Sequence, residues 1–234
     1  MQYNIAKATG LNTDQQAAQA FSSTQDDNNL FLAILNLSCD DAFTRGRQLL
    51  TDLGDYIVEN EASAAEKLTA TFAKAQEKLS DTAANDILLS LISNKALYLI
   101  GHGQVNAYLL REERLTPLLN AQNQLISGFL EDNDRVFLST TNMVDTLGQG
   151  LESFLKLPID QWQAEVESQI GLEGVGRSGT SGLLLEVHPE NLVPSDTQSI
   201  PKRLDEDIAY QPKIKFDFKK LLSFYRKILP QSGR

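Results

Sequence analysis

The stretch DILLSLISNKALYLIGHGQVNAYLLREERLTPLL, residues 86–119, decides the predicted fold. It contains apolar runs of strand length, DILLSLI, ALYLI and VNAYLL, separated by short polar breaks. The breaks SNK and REE are typical of tight hairpin turns. The third break, GHGQ, is rich in glycine and carries no carboxylate. Strands in such close order predict an antiparallel sheet, because parallel neighbours need a long crossover between them.

The sequence on either side adds strands and helices. LFLAILNLS (30–38) is almost continuously apolar, which predicts a central strand buried on both faces. Apolar residues at helical spacing follow in two segments, first at Phe43, Leu50, Leu53 and Ile57 and then over 62–81. A further helix is predicted over 158–170, and SGLLLEVHP (181–189) forms a last strand. The order predicts an α+β fold, a sandwich of two mainly antiparallel sheets with helices outside.

Composition narrows the class of protein. The chain has 234 residues and a net charge of −10, which argues against nucleic acid as a partner, because phosphate binding needs a cationic surface. Its single cysteine, Cys39, excludes an internal disulfide. The first residues lack the features of a signal peptide, and no run has the roughly 18 apolar residues of a membrane span. A cytoplasmic location is therefore expected.

The end of the chain differs from its body. We predict a globular domain over 1–190, a proline-containing linker over 191–213 and a basic amphipathic helix over 214–234. The last segment carries a cationic cluster of Lys219, Lys220, Arg226 and Lys227. Three roles stay open for it: attachment to an anionic membrane at its cytoplasmic face, docking onto the acidic body, or a solvated tail.

The ordered strands resemble the central sheets of the metal-dependent protein phosphatase 2C (PP2C, or PPM-type) family. Gly103-Gln104-Val105-Asn106 matches the family's Gly-Asp-Ser-Arg, DRVFLSTTNMVDTLG (134–148) resembles the strand that ends in Thr-Asp-Gly, and LFLAILNLSCDDAFTRGRQLL (30–50) resembles the strand that ends in Asp-Gly. The likeness extends over about residues 3–188. It implies a four-layer αββα sandwich with a two-metal centre, in which family members hydrolyse phosphoserine and phosphothreonine with a metal-bridging water.

The positions that match the family's metal ligands lack their acids. The strand that ends in Asp-Gly has Leu35-Asn36 or, with a one-residue shift, Asn36-Leu37. Gln104 stands at the Asp of Gly-Asp-Ser-Arg, Thr141 at the Asp of Thr-Asp-Gly, and Ser178 near the closing Asp-Asn. The first arginine of the chain, Arg45, comes too late to match the family's phosphate-binding arginine. The resemblance is therefore to a degenerate member, for which no cofactor is expected.

Three functions remain open from the sequence. The first is an inactive phosphatase-like module that binds or regulates a protein partner, with a phosphoprotein as one candidate, tethered at the membrane face. The second is an active Mn- or Mg-dependent serine/threonine phosphatase with displaced ligands. The third is a structural domain of a larger envelope protein.

Other polar residues give weaker signals. His102 and His188 have no paired nucleophile in suitable order. The loop 174–180 is rich in glycine but precedes a strand, so it fits neither nucleotide-binding motif. Asp14 is the one early acid near the family's Glu-Asp position. The remaining acids, Asp26-Asp27 and Glu131-Asp132-Asp134, are predicted to lie in solvated turns.

Overall fold

Two five-stranded antiparallel sheets form the centre of the protein. The structure is a computed structural model and describes residues 2–26, 29–82, 84–172 and 178–189. The first sheet has the order β1 (Gln2–Thr9), β10 (Ser181–His188), β9 (Arg135–Thr140), β6 (Val105–Arg111) and β7 (Arg114–Pro117). The second has the order β2 (Gln16–Asp26), β3 (Asn29–Ser38), β4 (Ala84–Ser93), β5 (Ala96–His102) and β8 (Ile126–Phe129).

Helices cover the outer face of each sheet. Helices α1 (Ala42–Glu59) and α2 (Ala64–Leu79) pack on the second sheet, and the short helices α3 (Thr141–Leu147) and α4 (Leu151–Leu155) with α5 (Ile159–Leu172) pack on the first. A 3-10 turn, Gly148–Gly150, joins α3 to α4. Three apolar cores result, one between the sheets and one under each helical layer. The predicted α+β fold, a four-layer αββα sandwich, is confirmed.

Strand β3 shows why its sequence is apolar without alternation. Side chains of successive strand residues point to opposite faces. Leu32 and Ile34 therefore enter the core between the sheets, while Phe31 and Leu35 enter the core under α1 and α2. Each of these four side chains is fully buried.

Both predicted tight turns are present. Ser93 pairs with Ala96, so Asn94 and Lys95 form the two-residue loop, each with positive φ. Glu112 and Glu113 form the equivalent loop between β6 and β7, also with positive φ. These backbone angles are the ones that match the right-handed twist of paired strands.

The GHGQ break differs from a hairpin. Strands β5 and β6 belong to different sheets, so this junction carries the chain from one sheet to the other. The sequence analysis predicted hairpin turns at SNK and REE and predicted none at GHGQ, and it did not predict which strands pair across GHGQ. Sequence order does not reveal a change of sheet, because both sheets offer the same apolar face to the shared core.

Two further expectations are corrected. Phe43 is 44% exposed and does not join the apolar stripe of α1. Asp134, predicted in a solvated turn, is 1% exposed, and its carboxylate accepts hydrogen bonds from Arg111 Nε at 2.8 Å and Nη2 at 2.6 Å. A carboxylate in a turn becomes buried here because an arginine from β6 reaches it.

The predicted linker and basic helix, with Lys219, Lys220, Arg226 and Lys227, lie outside the described residues, as do Asp27 and residues 173–177 of the glycine-rich loop. Among the helices that the structure describes, none has the length and apolar character that crossing a bilayer requires.

Candidate functional site

Asn36 lies at the end of β3 and interrupts the apolar face between the sheets. It shares that face with Leu32 and Ile34, whereas Leu35 is buried in the core under α1 and α2. Of the residues matched to the family's first Asp-Gly, Asn36 is therefore the one directed toward the second layer of strands, and Leu35 has a packing role only.

The partner of Asn36 is an acid that the sequence analysis missed. Asp86, near the start of β4, is the cross-strand neighbour of Asn36. Asn36 Nδ2 donates to Asp86 Oδ2 at 2.8 Å, and the backbone N–H of Gln104 donates to Asp86 Oδ1 at 2.7 Å. Both carboxylate oxygens thus accept hydrogen bonds from the chain itself.

Gly103 allows the β5–β6 junction to approach this carboxylate. Its φ is +81°, and a Cβ there would lie 2.3 Å from Asp86 Oδ1 and 2.8 Å from the carbonyl oxygen of Asn85. Only glycine accepts both the backbone angle and the close contact. The glycine of GHGQ therefore has a structural role, because it brings the Gln104 N–H onto Asp86.

Ser178 and Gly179, just before β10, lie beside Asn36 on another side of the site. Gly179 has a φ of +81°, and a Cβ on it would lie 2.7 Å from Gln16 Nε2, 3.0 Å from Asn36 Oδ1 and 3.1 Å from Asn142 Nδ2. Ser178 hydrogen-bonds to Gln16 Oε1 through its hydroxyl and accepts from Asn142 Nδ2 at its carbonyl oxygen, at 3.2 Å. Three amide side chains therefore converge on Gly179.

Thr141 joins the same region from the first turn of α3. Its backbone N–H donates to the carbonyl oxygen of Gln104 at 2.9 Å, and its hydroxyl accepts from Asn106 Nδ2 at 2.9 Å. Gln104 contributes through its backbone, since its side chain is exposed. We define the amide cluster as Gln16, Asn36, Asp86, Asn106, Thr141, Asn142 and Ser178.

The amide cluster does not fit a pair of divalent metal ions. Manganese and magnesium prefer several anionic oxygen ligands, and two ions close together need more negative charge than one. The cluster has the single carboxylate of Asp86, and both of its oxygens accept hydrogen bonds. Within the described ranges, no group of three or more His, Cys, Asp or Glu residues is placed to hold a metal.

One acceptor in the amide cluster remains open. Asn36 Oδ1 is buried and accepts no hydrogen bond from the part of the chain that the structure describes. A buried amide oxygen without a donor costs about 1–3 kcal/mol, so the position suits a hydrogen-bond donor such as water.

The histidines lie outside the amide cluster. His102 Nδ1 is 3.0 Å from Asn123 Oδ1, which also accepts from Gln76 of α2, so His102 belongs to the helix-covered face of its sheet. His188 Nε2 is 3.1 Å from Glu186 Oε2 and 3.0 Å from Asn4 Nδ2, on the first sheet. Asp14 accepts the Ala42 N–H at its backbone oxygen, and its side chain is exposed.

The structure brings four of the sequence-predicted positions together, namely Asn36, Gln104, Thr141 and Ser178. It adds Gln16, Asp86, Asn106 and Asn142, which the sequence analysis did not select as site residues. Asp86 opens a predicted strand, but two helices separate it from Asn36, so their pairing register is not readable from the sequence. The sequence does show that Asn36 and Asp86 are each a polar residue at the end of an apolar strand, and this pattern could have indicated a site.

No family model matches the sequence, and no curated protein matches it. Solved structures of similar fold do match. The catalytic domain of the serine/threonine protein phosphatase PstP, in complex with two manganese ions, shares 16% identity with a TM-score of 0.59, over 80% of this chain and 98% of that one. The PP2C phosphatase domain and a regulatory fragment of SpoIIE from Bacillus subtilis share 11% identity with a TM-score of 0.60, over 79% and 62%.

A third similar structure is RsbX in complex with magnesium, at 11% identity and a TM-score of 0.55, over 79% of this chain and 94% of that one. Each of these matches covers about four fifths of this chain. The TM-scores establish a shared fold, whereas identities of 11–16% do not indicate an activity. The chain therefore has the fold of the PP2C-type serine/threonine phosphatase domains.

Proposed function

We propose that this chain is a catalytically inactive PP2C-like domain that acts as a binding or regulatory module. The observation that supports the proposal is the amide cluster. In it, neutral Asn36, Thr141 and Ser178 stand where the resemblance expects metal-binding acids, and the one carboxylate, Asp86, accepts a hydrogen bond from the chain at each of its oxygens. Water bound to a metal has a pKa of about 7 against about 15.7 in bulk. At about 1.36 kcal/mol per unit, losing the metal forfeits roughly 12 kcal/mol in forming hydroxide.

The alternative is an active phosphatase with displaced metal ligands. Asp86 and the open Asn36 Oδ1 are the features that favour it, because both place oxygen atoms in the amide cluster. The two functions differ in metal affinity and in the role of Asp86. An inactive module needs Asp86 as a hydrogen-bond acceptor, whereas a displaced metal centre needs it as a ligand.

Calorimetric titration of the full chain with MnCl₂, together with turnover of p-nitrophenyl phosphate in Mn²⁺, separates the two. We expect no metal binding tighter than millimolar and no turnover that a chelator removes. Saturable micromolar Mn²⁺ binding with chelator-sensitive turnover, both lost in Asp86→Asn, would establish the alternative. Asp132→Asn, which removes one carboxylate from a turn, is the matched control for charge.

A gain-of-binding variant tests the reason for inactivity. Asn36→Asp, Gln104→Asp and Thr141→Asp introduce carboxylates at three of the four matched positions. If missing charge is the defect, the triple variant should bind Mn²⁺ at least tenfold more tightly than the unmodified chain. A control that changes the exposed residues Gln122, Gln149 and Gln161 to Glu adds the same charge elsewhere and should leave Mn²⁺ binding unchanged.

We extend the proposal to a protein partner and a tether. A phosphoprotein is one candidate partner, and binding of a phosphopeptide against its unphosphorylated form tests it. The cationic cluster of Lys219, Lys220, Arg226 and Lys227 would hold the domain at the cytoplasmic face of an anionic membrane, since each such residue contributes about 1 kcal/mol near that surface. Co-sedimentation with vesicles of anionic or zwitterionic lipid, with and without residues 211–234, measures the tether. Equal sedimentation of both forms would contradict it.

A further inference from the structure

A groove of about 470 Å³ runs along the outer edge of β2, and none of its lining residues belongs to the amide cluster. We call it the β2 groove. Lys7 and Thr9 of β1 line one side, and Phe43 and Arg47 of α1 line the other. Backbone and side chains of β2 from Ala18 to Ser22 form the floor. Strands β1 and β2 are the outermost strands of their sheets, so the groove opens at the edge of the sandwich.

Hydrogen bonds at the start of β2 show which backbone groups face this edge. The Gln16 N–H donates to Thr13 Oγ1 at 3.0 Å, and the Gln16 carbonyl oxygen accepts from the Thr13 N–H at 2.8 Å. Ala18 donates its N–H to Asn12 Oδ1 at 2.8 Å. None of these groups bonds to β3, so even-numbered residues of β2 direct their backbone groups outward.

Alternation in an antiparallel ladder extends the pattern to Ala20 and Ser22. Their N–H and carbonyl groups face the β2 groove. Within the residues that the structure describes, neither a backbone nor a side-chain hydrogen bond reaches these outward groups. The loop before β2 therefore covers the edge at Gln16 and Ala18 and leaves it open over the next four residues.

The charge of the β2 groove is opposite to that of the protein. Lys7 and Arg47 line it, no acidic residue does, and the chain as a whole has a net charge of −10. Neither cation enters an ion pair among the described residues. Burial lowers the pKa of Lys7, because part of its side chain is removed from water. A carboxylate beside it would offset that loss.

Apolar contact is available on the other side of the β2 groove. Phe43 is 44% exposed at the start of α1, although large apolar side chains are usually buried. Phe21 and Leu50 extend the same wall. Since side chains of a strand alternate between faces, a strand placed beside β2 would direct one set toward these apolar residues and the other toward Lys7.

We propose that the β2 groove binds an extended acidic segment of a partner protein, which adds to the second sheet as a sixth strand beside β2. An open strand edge supplies backbone hydrogen bonds, and pockets for alternate side chains supply specificity. An exposed edge is otherwise a liability that proteins cover or charge. This inference does not rest on the proposed loss of catalysis, because the β2 groove shares no residue with the amide cluster.

The probe is a phage-displayed library of random heptapeptides selected on the full chain, followed by synthesis of the selected peptides. We expect enrichment of Asp and Glu in peptides with alternating polar and apolar residues. Binding should weaken at least tenfold between 0.05 and 0.5 M salt. In hydrogen exchange, the amides of Ala20 and Ser22 should slow at least fivefold when the peptide binds.

Ser22→Pro is the decisive variant. The Ser22 N–H faces away from β3, so proline removes no bond of the β2–β3 ladder and is tolerated at a strand edge. It should weaken peptide binding at least tenfold, while Ser22→Ala, which keeps the N–H, should stay within twofold. If Ser22→Pro fails to fold, peptides N-methylated at alternate amides test the same bonds from the other side. Lys7→Gln with Arg47→Gln should remove the preference for acidic peptides.

Several results would overturn the proposal. The selection could yield no peptide above background, or it could enrich basic sequences. The third such result is that the selected peptides bind Ser22→Pro as tightly as the unmodified chain and that their N-methylated forms bind as tightly as the unmethylated ones. Self-association that Ser22→Pro abolishes, measured by sedimentation, would assign the edge to a second copy of this chain and would also overturn it. Each outcome leaves the Mn²⁺ titration of the amide cluster unaffected.

Discussion

Asn36 and Asp86 are cross-strand neighbours at adjoining ends of β3 and β4, joined by a 2.8 Å hydrogen bond from Asn36 Nδ2 to Asp86 Oδ2. The contact is an attraction between a neutral amide donor and a carboxylate, whereas two carboxylates at this distance would repel each other. This hydrogen bond is the reason to expect that the amide cluster contributes to the stability of the fold.

Removing the Asp86 carboxylate should destabilise the fold. Asp86→Ala leaves the Gln104 N–H and the Asn36 amide without an acceptor, so the free energy of unfolding should fall by about 2 kcal/mol. Asp86→Asn keeps one acceptor oxygen and should cost about 1 kcal/mol. Urea denaturation measures both. Asp145→Ala removes an exposed carboxylate from nearby α3 and should change stability little. Unchanged stability in Asp86→Ala would show that the network is not structural.

Adding a methyl group at Gly103 should separate the β5–β6 junction from Asp86. The Cβ would lie 2.3 Å from Asp86 Oδ1 on a backbone with a φ of +81°, so Gly103→Ala should lose about 2–3 kcal/mol of stability. Gly128→Ala is the matched control, since nothing lies within 4 Å of its Cβ position. Thermal denaturation compares the two, and equal midpoints would contradict the close approach.

Replacing the buried turn residue Asp134 should lower the stability of the fold more than replacing an exposed residue of the same turn. Asp134→Ala leaves the Arg111 guanidinium without its two-point partner and the Glu131 N–H without an acceptor. Arg111 is 31% exposed and keeps Glu131 Oε1 and the Phe129 carbonyl oxygen as acceptors, so the free energy of unfolding should fall by about 2–3 kcal/mol. Asp132→Ala in the same turn should stay within about 0.5 kcal/mol. A similar small effect for both, measured in urea, would mean that Arg111 finds equivalent partners.

The ion pair between α1 and α2 should give a pH-dependent contribution to stability. Hydrogen bonds from Lys78 and then from Gln48 hold the pKa of Asp52 below its ordinary value. The unfolded chain therefore binds the proton more readily, so the stabilisation is present above the usual aspartate pKa of about 3.9 and disappears as the pH falls through the folded value. Exposed pairs contribute less than about 1 kcal/mol.

Stability curves of the unmodified chain and Asp52→Asn between pH 7 and pH 2 measure this contribution. The difference in free energy of unfolding should be largest at pH 7 and vanish at the acid end. Asp55→Asn, on an exposed turn of the same helix, should give a small difference throughout. A difference for Asp52→Asn that stays constant down to pH 2 would show that its ion pair with Lys78 does not stabilise the fold.

The sequence by itself determined the layers of this protein. Strand-length apolar runs, helical spacing and the two-residue turns at Asn94-Lys95 and Glu112-Glu113 are local properties, and each is encoded within a few neighbouring residues. The resemblance predicted Leu35 or Asn36, together with Gln104, Thr141 and Ser178, at one site. Local patterns succeed there because burial on one or two faces dictates residue type directly.

Tertiary structure alone decided the chemistry of the site. The pairing of Asn36 with Asp86, the approach of Gly179 to Gln16, and the burial of Asp134 by Arg111 each join residues far apart in sequence. The change of sheet at GHGQ and the open edge at Ala20 and Ser22 are likewise invisible locally. Register, strand order and hydrogen-bond partners depend on how distant segments pack together. A single sequence indicates which faces of its helices and strands are apolar, but it does not indicate which of these faces contact each other.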